Sequence, residues 1–360
     1  MARVRGGMEK QRNNSMFKIG PFEIGNGRAF VIAEAGVNHN GDAKIAKKLV
    51  EAAKEAGADA VKFQSFKAEW MCDHDLTESK AVEGITGGTK SSYDMYKALE
   101  LSDAAHVEVF EHARKVGITC FSSAFDPRTV DFLLSLKTPA IKIASGDLNY
   151  TPLLEKASQT GLPLIVSTGM GTLSEVSLCH DLLSRGKSPF AILQCISEYP
   201  LPPDHANLRV IANWKSTFTC PIGFSDHSQG IALPLAAVAL GAEIIEKHFT
   251  LDNDMAGPDQ KMSTNPRDFK AMVQGIRDIE KALGSFYKQP TKAEWKDRHN
   301  GRRGIKAGRA IKAGETLKAS DLVLIKPATG LAPENCSLVV GKKARRDISR
   351  GTPIGWEWLE

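Results

Sequence analysis

The chain has 360 residues, 42% hydrophobic and 25% charged, enough to bury a large core and ordinary for a soluble globular protein. Its 47 basic and 42 acidic residues leave a formal charge of +5, which suits anionic small molecules but falls well short of a nucleic-acid footprint. The longest nearly apolar run, 231–240, is about half of what a bilayer span requires, so no membrane segment is expected.

Residues 1–16 read as a disordered basic leader carrying Arg3, Arg5, Lys10 and Arg12. They lack the apolar stretch of a signal peptide, and Met8 and Met16 offer alternative starts. The six cysteines, Cys72, Cys120, Cys179, Cys195, Cys220 and Cys336, form no CxxC pair, which points to reduced thiols in a cytoplasmic protein.

From residue 30 onward, short β-rich runs recur, each ending in a polar residue and leading into a helical stretch. They are FVIAEAG (30–36), AVKFQS (60–65), ITCFSSAF (118–125), AIKIASG (140–146), LPLIVSTG (162–169), FAILQCIS (190–197), PIGFSDH (221–227) and EIIEKHF (243–249). The stretch 43–57 carries Ile45, Ala46, Leu49, Val50 and Ala53 at helical spacing and closes on Gly57. Stretches 106–117 and 153–161 end on glycine in the same way. Eight near-continuous apolar strands alternating with helices predict a (β/α)8 TIM barrel over 17–285. An open doubly wound sheet explains the alternation but not the count, and no GxGxxG follows the first strand. The second connection, 66–105, holds an extra loop expected to hang over the barrel mouth. A polar, basic stretch at 286–300 reads as a linker, and 301–360 reads as a small β-rich domain punctuated by glycine.

In a parallel barrel the active site lies at the C-terminal strand ends. Those ends carry Glu34, Lys62, Gln64, Ser122, Ser123, Lys142, Ser145, Ser167, Thr168 and Ser197. The last two strands add Ser225, Asp226, His227, Glu246, Lys247 and His248. Two lysines among hydroxyls suit a phosphate and a carboxylate. The alternative, lysines snorkelling from the core, is costly for two of them inside apolar runs. His227 and His248, on adjacent strands beside Glu34, suggest a metal site, although a lone histidine there would more simply be structural. Any single serine could just cap the next helix, and no GxSxG elbow marks a serine nucleophile. Asp226 is given only a supporting or structural role.

Several stretches carry a resemblance: IAEAGVNHNGD (32–42), GADAVKFQ (57–64), KIASGDL (142–148), VSTGM (166–170), LQCISEYP (193–200), GFSDHS (223–228), EKHFTLD (246–252) and GPDQ (257–260). With them the sequence closely resembles the sialic acid synthase family, the N-acetylneuraminate synthases and their legionaminate and pseudaminate relatives. Its C-terminal part resembles that family's antifreeze-like SAF domain. The resemblance implies condensation of phosphoenolpyruvate with an N-acetylated mannosamine-type sugar and water, releasing phosphate. It also implies a divalent metal, usually taken as Mn2+, with Mg2+ or Co2+ possible. By motif, His227 and His248 would hold that metal and Glu34 would be the acid/base residue. Lys62, Ser123, Lys142, Ser145, Ser167, Ser197 and Ser225 would bind phosphoenolpyruvate, and Gln64, Asp147, Tyr199 and Asp259 would face the sugar.

Two departures stand out. SSAF (122–125) puts Ser123 where the family often has threonine, keeping the hydroxyl. IKPATG (325–330) puts Lys326 where the family presents an arginine toward a partner subunit's sugar. Lysine keeps the charge and loses the planar fork, so recognition of the acyl group is open. The resemblance further implies a homodimer with swapped SAF domains, with no nucleic-acid or membrane partner; a monomer with an idle appendage is the alternative. The leading expectation is an N-acetylneuraminate synthase using N-acetylmannosamine. The rivals are a legionaminate synthase acting on a 2,4-diacetamido-6-deoxy sugar, a pseudaminate or 9-phosphate synthase, and a non-catalytic carbohydrate-binding scaffold.

Overall fold

A computed structural model describes residues 16–73 and 91–360. The basic leader, apart from Met16, and part of the long second connection lie outside the described residues. The chain forms two compact units, one ending at Gly284 and the other Ser285–Glu360.

The first unit opens with an antiparallel hairpin, β1 (Phe17–Ile19) and β2 (Phe22–Ile24). Eight parallel strands then close a barrel. They are β3 (Phe30–Gly36), β4 (Ala60–Ser65), β5 (Thr119–Ala124), β6 (Ile141–Ile143), β7 (Leu164–Ser167), β8 (Phe190–Cys195), β9 (Ile222–Asp226) and β10 (Ile244–His248). The barrel predicted from the eight apolar runs is therefore the observed fold. Several strands are shorter than their runs. β6 covers only Ile141–Ile143, because the chain turns into a single 3-10 turn at Ser145–Asp147. The hairpin was not among the predicted elements. Its FKI and FEI strands alternate apolar and polar residues around Gly20 and Pro21, with Phe17, Ile19 and Ile24 buried.

A period of two sorts the barrel's side chains. Going up β3, Phe30, Ile32 and Glu34 share one face; along β10 the series is Ile244, Glu246 and His248. The lower inward positions, with Ala60, Phe121, Ile165 and Leu193, pack with Phe17, Ile19 and Ile24 of the hairpin into one apolar cluster. The upper inward positions carry the polar side chains. The outward faces meet the helices in a second, larger core. A seam network ties β3 to β4 and to the last helix of the unit, Pro266–Leu283. Asp59 takes Arg28 at 2.6 Å, Arg277 at 2.7 Å and the Val31 N–H at 2.9 Å. In the second connection, Phe66, Met71, Met95, Tyr96 and Leu99 cluster with Val37 and Phe125, which directly follow strand ends.

The second unit pairs β11 (Gly304–Ala307) with β12 (Leu322–Ile325) over its own small core, which includes Ile305, Ile311, Val339, Ile348 and Ile354. The stretch expected to be a linker carries a helix, Lys292–Gly301. A reciprocal cap between Thr291 and Glu294 starts it, and none of its residues is buried.

Gly223 sits inside β9 where the wall leaves no room. A Cβ there would stand 2.5 Å from Ile244 O and 2.4 Å from Leu193 Cδ2. We expect Gly223→Ala to cost about 1–3 kcal/mol from overpacking, read as a lower midpoint in urea denaturation.

Candidate active site

The upper inward residues form a buried cage of four charges. Lys62 Nζ lies 2.6 Å from Glu34 Oε2 and donates to Ser123 Oγ at 2.9 Å. Lys142 Nζ donates to Ile143 O at 2.8 Å. Glu246 stands between the two amines, 3.8 Å from each, and accepts from Ser225 Oγ at 3.0 Å. All four charged side chains are buried. Strand register builds the cage: Glu34 pairs with Lys62, Ser123 with Lys142, and Ser225 with Glu246.

Their protonation follows from this packing. Burial lifts the Glu34 carboxyl to about 7, partly opposed by Lys62. Burial lowers the Lys142 amine, with Glu246 opposing. Burial pushes Glu246 upward, but Lys142 and Lys62 outweigh it and hold that carboxyl below its ordinary value. Glu246 is thus the anion that keeps both lysines tolerable inside the barrel.

Around the cage the predicted hydroxyls fall into place. Ser167 Oγ is buried with no hydrogen-bond partner among the described residues, a donor available to a ligand. The Gly169 N–H donates to Ser145 Oγ at 2.9 Å, and a Cβ at Gly169 would stand 2.2 Å from Ser197 Oγ. Gly169 therefore lets Ser145 and Ser197 converge. Gln64 Nε2 donates to Glu34 Oε1 at 3.1 Å. Half-buried Asp147 has its carboxyl raised to about 6 by burial, with Lys142 opposing. Lys326 belongs to the second unit, where it is exposed just past β12.

His227 and His248 stand side by side, ring centroids 5.4 Å apart, with Tyr199 stacked on His227 at 4.1 Å. The His227 Nδ1–H donates to Ile196 O at 2.7 Å, so Nε2 carries the lone pair when the ring is neutral. Burial lowers this ring's pKa, but Cys195, the Ile196 carbonyl and Glu246 outweigh it and raise it. His248 Nδ1 is buried without a hydrogen-bond partner among the described residues, 3.6 Å from Asp259 Oδ2, and burial with nearby His227 holds its ring neutral. A divalent cation takes the imidazole lone pair, which His248 already offers as a neutral ring and His227 would offer at Nε2 once that nitrogen loses its proton, so the two rings fit a metal. Among the described residues no group of three or more His, Cys, Asp or Glu could hold one, so a cation on these rings would keep open positions.

Asp226 and Lys247 alternate with the histidines and point to the other side of the wall. Lys247 Nζ meets Asp226 Oδ2 at 2.5 Å and Ser228 O at 2.8 Å, and the Ser228 N–H returns to Asp226 Oδ1 at 2.9 Å. This pair staples β9 to β10 and fixes the chain on either side of His227. The partner of Asp226 lies on the neighbouring strand, 21 residues away in sequence, so no local pattern marks its role.

The model of the NeuB family matches residues 49–288, and that of the SAF domain matches residues 302–360. The chain belongs to the NeuB family. It is an enzyme, as its relatives are named synthases. It is 42% identical to an N,N'-diacetyllegionaminic acid synthase of Legionella pneumophila, over 92% of this chain and 94% of that protein. An N-acetylneuraminate-9-phosphate synthase of Mus musculus is 36% identical over 92% of each. Among solved structures, an N-acetylneuraminic acid synthetase of Leptospira borgpetersenii superposes with a TM-score of 0.70 at 35% identity, covering 79% of this chain and 95% of that one.

Removing one partner of the buried staple strands the other charge. Lys247→Met should cost about 3–5 kcal/mol, and Asp226→Leu added to it should restore much of that, both measured by chemical denaturation.

Proposed function

We propose that this NeuB-family enzyme condenses phosphoenolpyruvate with an N-acylated mannosamine-type sugar and water, releasing phosphate and forming a nonulosonic acid. The observation that carries this reading is the buried Lys62–Glu246–Lys142 cage, ringed by serines and set against two adjacent imidazoles. Phosphoenolpyruvate brings roughly three negative charges, one from its carboxylate and up to two from its phosphate. Lys62 and Lys142, each 3.8 Å from Glu246, would supply the matching positive charge. Ser123, Ser145, Ser167, Ser197 and Ser225 supply the neutral donors.

His227 and His248 would hold the divalent metal, for which Mn2+ is the leading choice. Bound there, it supplies Lewis-acid polarisation of the acceptor's aldehyde. Carbon 3 of phosphoenolpyruvate attacks that aldehyde carbon, leaving carbon 2 electron-poor, and water adds there. Glu34, its carboxyl lifted to about 7 by burial, takes the water's proton in its ionised form and returns it to the alkoxide oxygen left from the aldehyde. The proton of the new carbon-2 hydroxyl departs on the phosphate. The carbon–oxygen bond to phosphate then breaks, and the two lysines offset the charge developing on the leaving group.

For the acceptor we favour the 2,4-diacetamido-6-deoxy sugar, because a legionaminic acid synthase is 42% identical over most of both chains. The N-acetylmannosamine expected from sequence is the second reading, supported by the neuraminic acid synthetase structure at 35% identity. Gln64, Asp147, Tyr199 and Asp259 would face the acceptor. A homodimer bringing Lys326 of one SAF domain to the other subunit's sugar is part of the proposal.

Phosphate release, compared across N-acetylmannosamine, its 6-phosphate and the diacetamido sugar, tests the reading; silence with all three sinks it. Glu34→Gln should lower kcat by about 10²–10⁴-fold while phosphoenolpyruvate still binds in calorimetry. Chelation should abolish turnover and Mn2+ should restore it. His227→Ala should weaken Mn2+ binding measured directly by calorimetry, and full activity of that variant in metal-free buffer would overturn the metal assignment.

A further inference from the structure

Above β10 the chain runs through residues 249–264 without regular structure, yet this segment carries Asp259 to the barrel mouth beside His248. Irregular backbone at a buried site needs partners for its polar groups, and here a compact set of amides supplies them. Gln260 is fully buried. Its Oε1 accepts from Thr250 Oγ1 at 2.7 Å, its Nε2 donates to Asn38 O at 3.2 Å, and its backbone carbonyl accepts from Asn253 Nδ2 at 2.9 Å. Asn38, also buried, donates through Nδ2 to Phe249 O and to Ser263 Oγ, both at 2.9 Å. Ser263 Oγ in turn donates to the backbone carbonyl of Asp259 at 2.6 Å. The loop after β3 thereby grips both ends of the loop after β10, with Asp259 held between the grips. The fit is close: a Cβ at Gly257 would stand 2.7 Å from Asn40 Oδ1 and 2.8 Å from Gln260 Nε2.

We infer that Gln260 and Asn38 are positioning residues for the acceptor subsite: they lock residues 249–264 in the shape that aims Asp259 at the sugar. The assignment rests on the proposed reading of Asp259 as a sugar contact. Neither amide touches the four-charge cage by any hydrogen bond or ion pair among the described residues, so phosphoenolpyruvate binding does not depend on them. Gln260 acts only through the carboxylate it places, so its loss should cost nothing once that carboxylate is gone.

The experiment is a double-mutant cycle on the full chain, with whichever of N-acetylmannosamine and the diacetamido sugar gives the higher kcat/KM. Asp259→Ala should raise the sugar KM tenfold or more and leave the phosphoenolpyruvate KM within twofold. Gln260→Ala should do the same, and the double variant should be no worse than Asp259→Ala within threefold. Gln260→Glu, which keeps the volume but turns a donor into an acceptor against Asn38 O and Ala256 O, should match Gln260→Ala. Hydrogen exchange should quicken by tenfold or more at 249–264 in these variants and stay unchanged in the barrel strands. An unchanged sugar KM in Gln260→Ala overturns the inference, as do multiplicative effects in the double variant, or equal rises in both KM values with faster exchange throughout the barrel. If Asp259→Ala leaves the sugar KM unchanged, the sugar reading of Asp259 falls. Exchange confined to 249–264 then marks the amides as merely structural. No phosphate release by the unaltered protein with either sugar sinks the reaction reading itself.

Discussion

Two ammonium groups and two carboxylates share the throat of this barrel, and each is at most 6% exposed. Taking four ions out of water is tolerable only if they neutralise one another at short range, and losing any one leaves a charge with no compensation. That requirement fixes much else. The four must stand at one level, so the strands must keep a single register around the closed barrel. The layer below them must be dry, and Phe30, Ile32, Phe121 and Ile165 with the N-terminal hairpin make it so. The cage is also not at its tightest. Glu246 holds its lysines at 3.8 Å, whereas Lys62 reaches Glu34 at 2.6 Å. The two contacts to Glu246 are therefore the looser part of the cage.

Support for the site comes from outside the barrel as much as from within. Residues that alternate with the functional ones project through the wall, and there the Asp226–Lys247 pair is fully desolvated and hydrogen-bonded on both partners. Its geometry joins the two strands that carry the histidines. Beyond the strand ends the means changes, because a loop has no ladder to satisfy its N–H and C=O groups. Side-chain amides and hydroxyls from Asn38, Thr250, Asn253, Gln260 and Ser263 take over that task. Strand register positions the cage, and side-chain hydrogen bonds position the rim.

That division also explains what could be read from the sequence. The barrel was legible because parallel strands buried on both faces leave continuous apolar runs, and eight of them close a cylinder. Lys62 and Lys142 were legible because a cation inside such a run contradicts its surroundings. Other features depended on partners far away in the chain. The charge on Asp226 is met by Lys247, 21 positions on, and Gln260 reaches Asn38, 222 positions back. The helix Lys292–Gly301 escaped because it buries no face and so shows no period. Its Thr291–Glu294 cap was the one signal present in the sequence. The three-residue strands of the hairpin are shorter than any window in which alternation is distinctive.

The same division bears on how one fold serves relatives named for different products. Residues of the cage sit on strands whose register allows no drift: a one-residue slip would turn Glu34 or Lys62 out of the throat. Asp147, Tyr199 and Asp259 instead sit on three separate segments past the strand ends, where a change of loop shape moves a side chain without disturbing the ladder. On the proposed reading the charged cage takes phosphate and carboxylate and has no contact with which to read an acyl or deoxy group several bonds away. Selection among acceptors must therefore be made at the rim. The rim is held by neutral hydrogen bonds, each worth about 1 kcal/mol, whereas stranding one partner of a buried ion pair costs about 3–5 kcal/mol, so the rim can be rebuilt without unfolding the barrel beneath it.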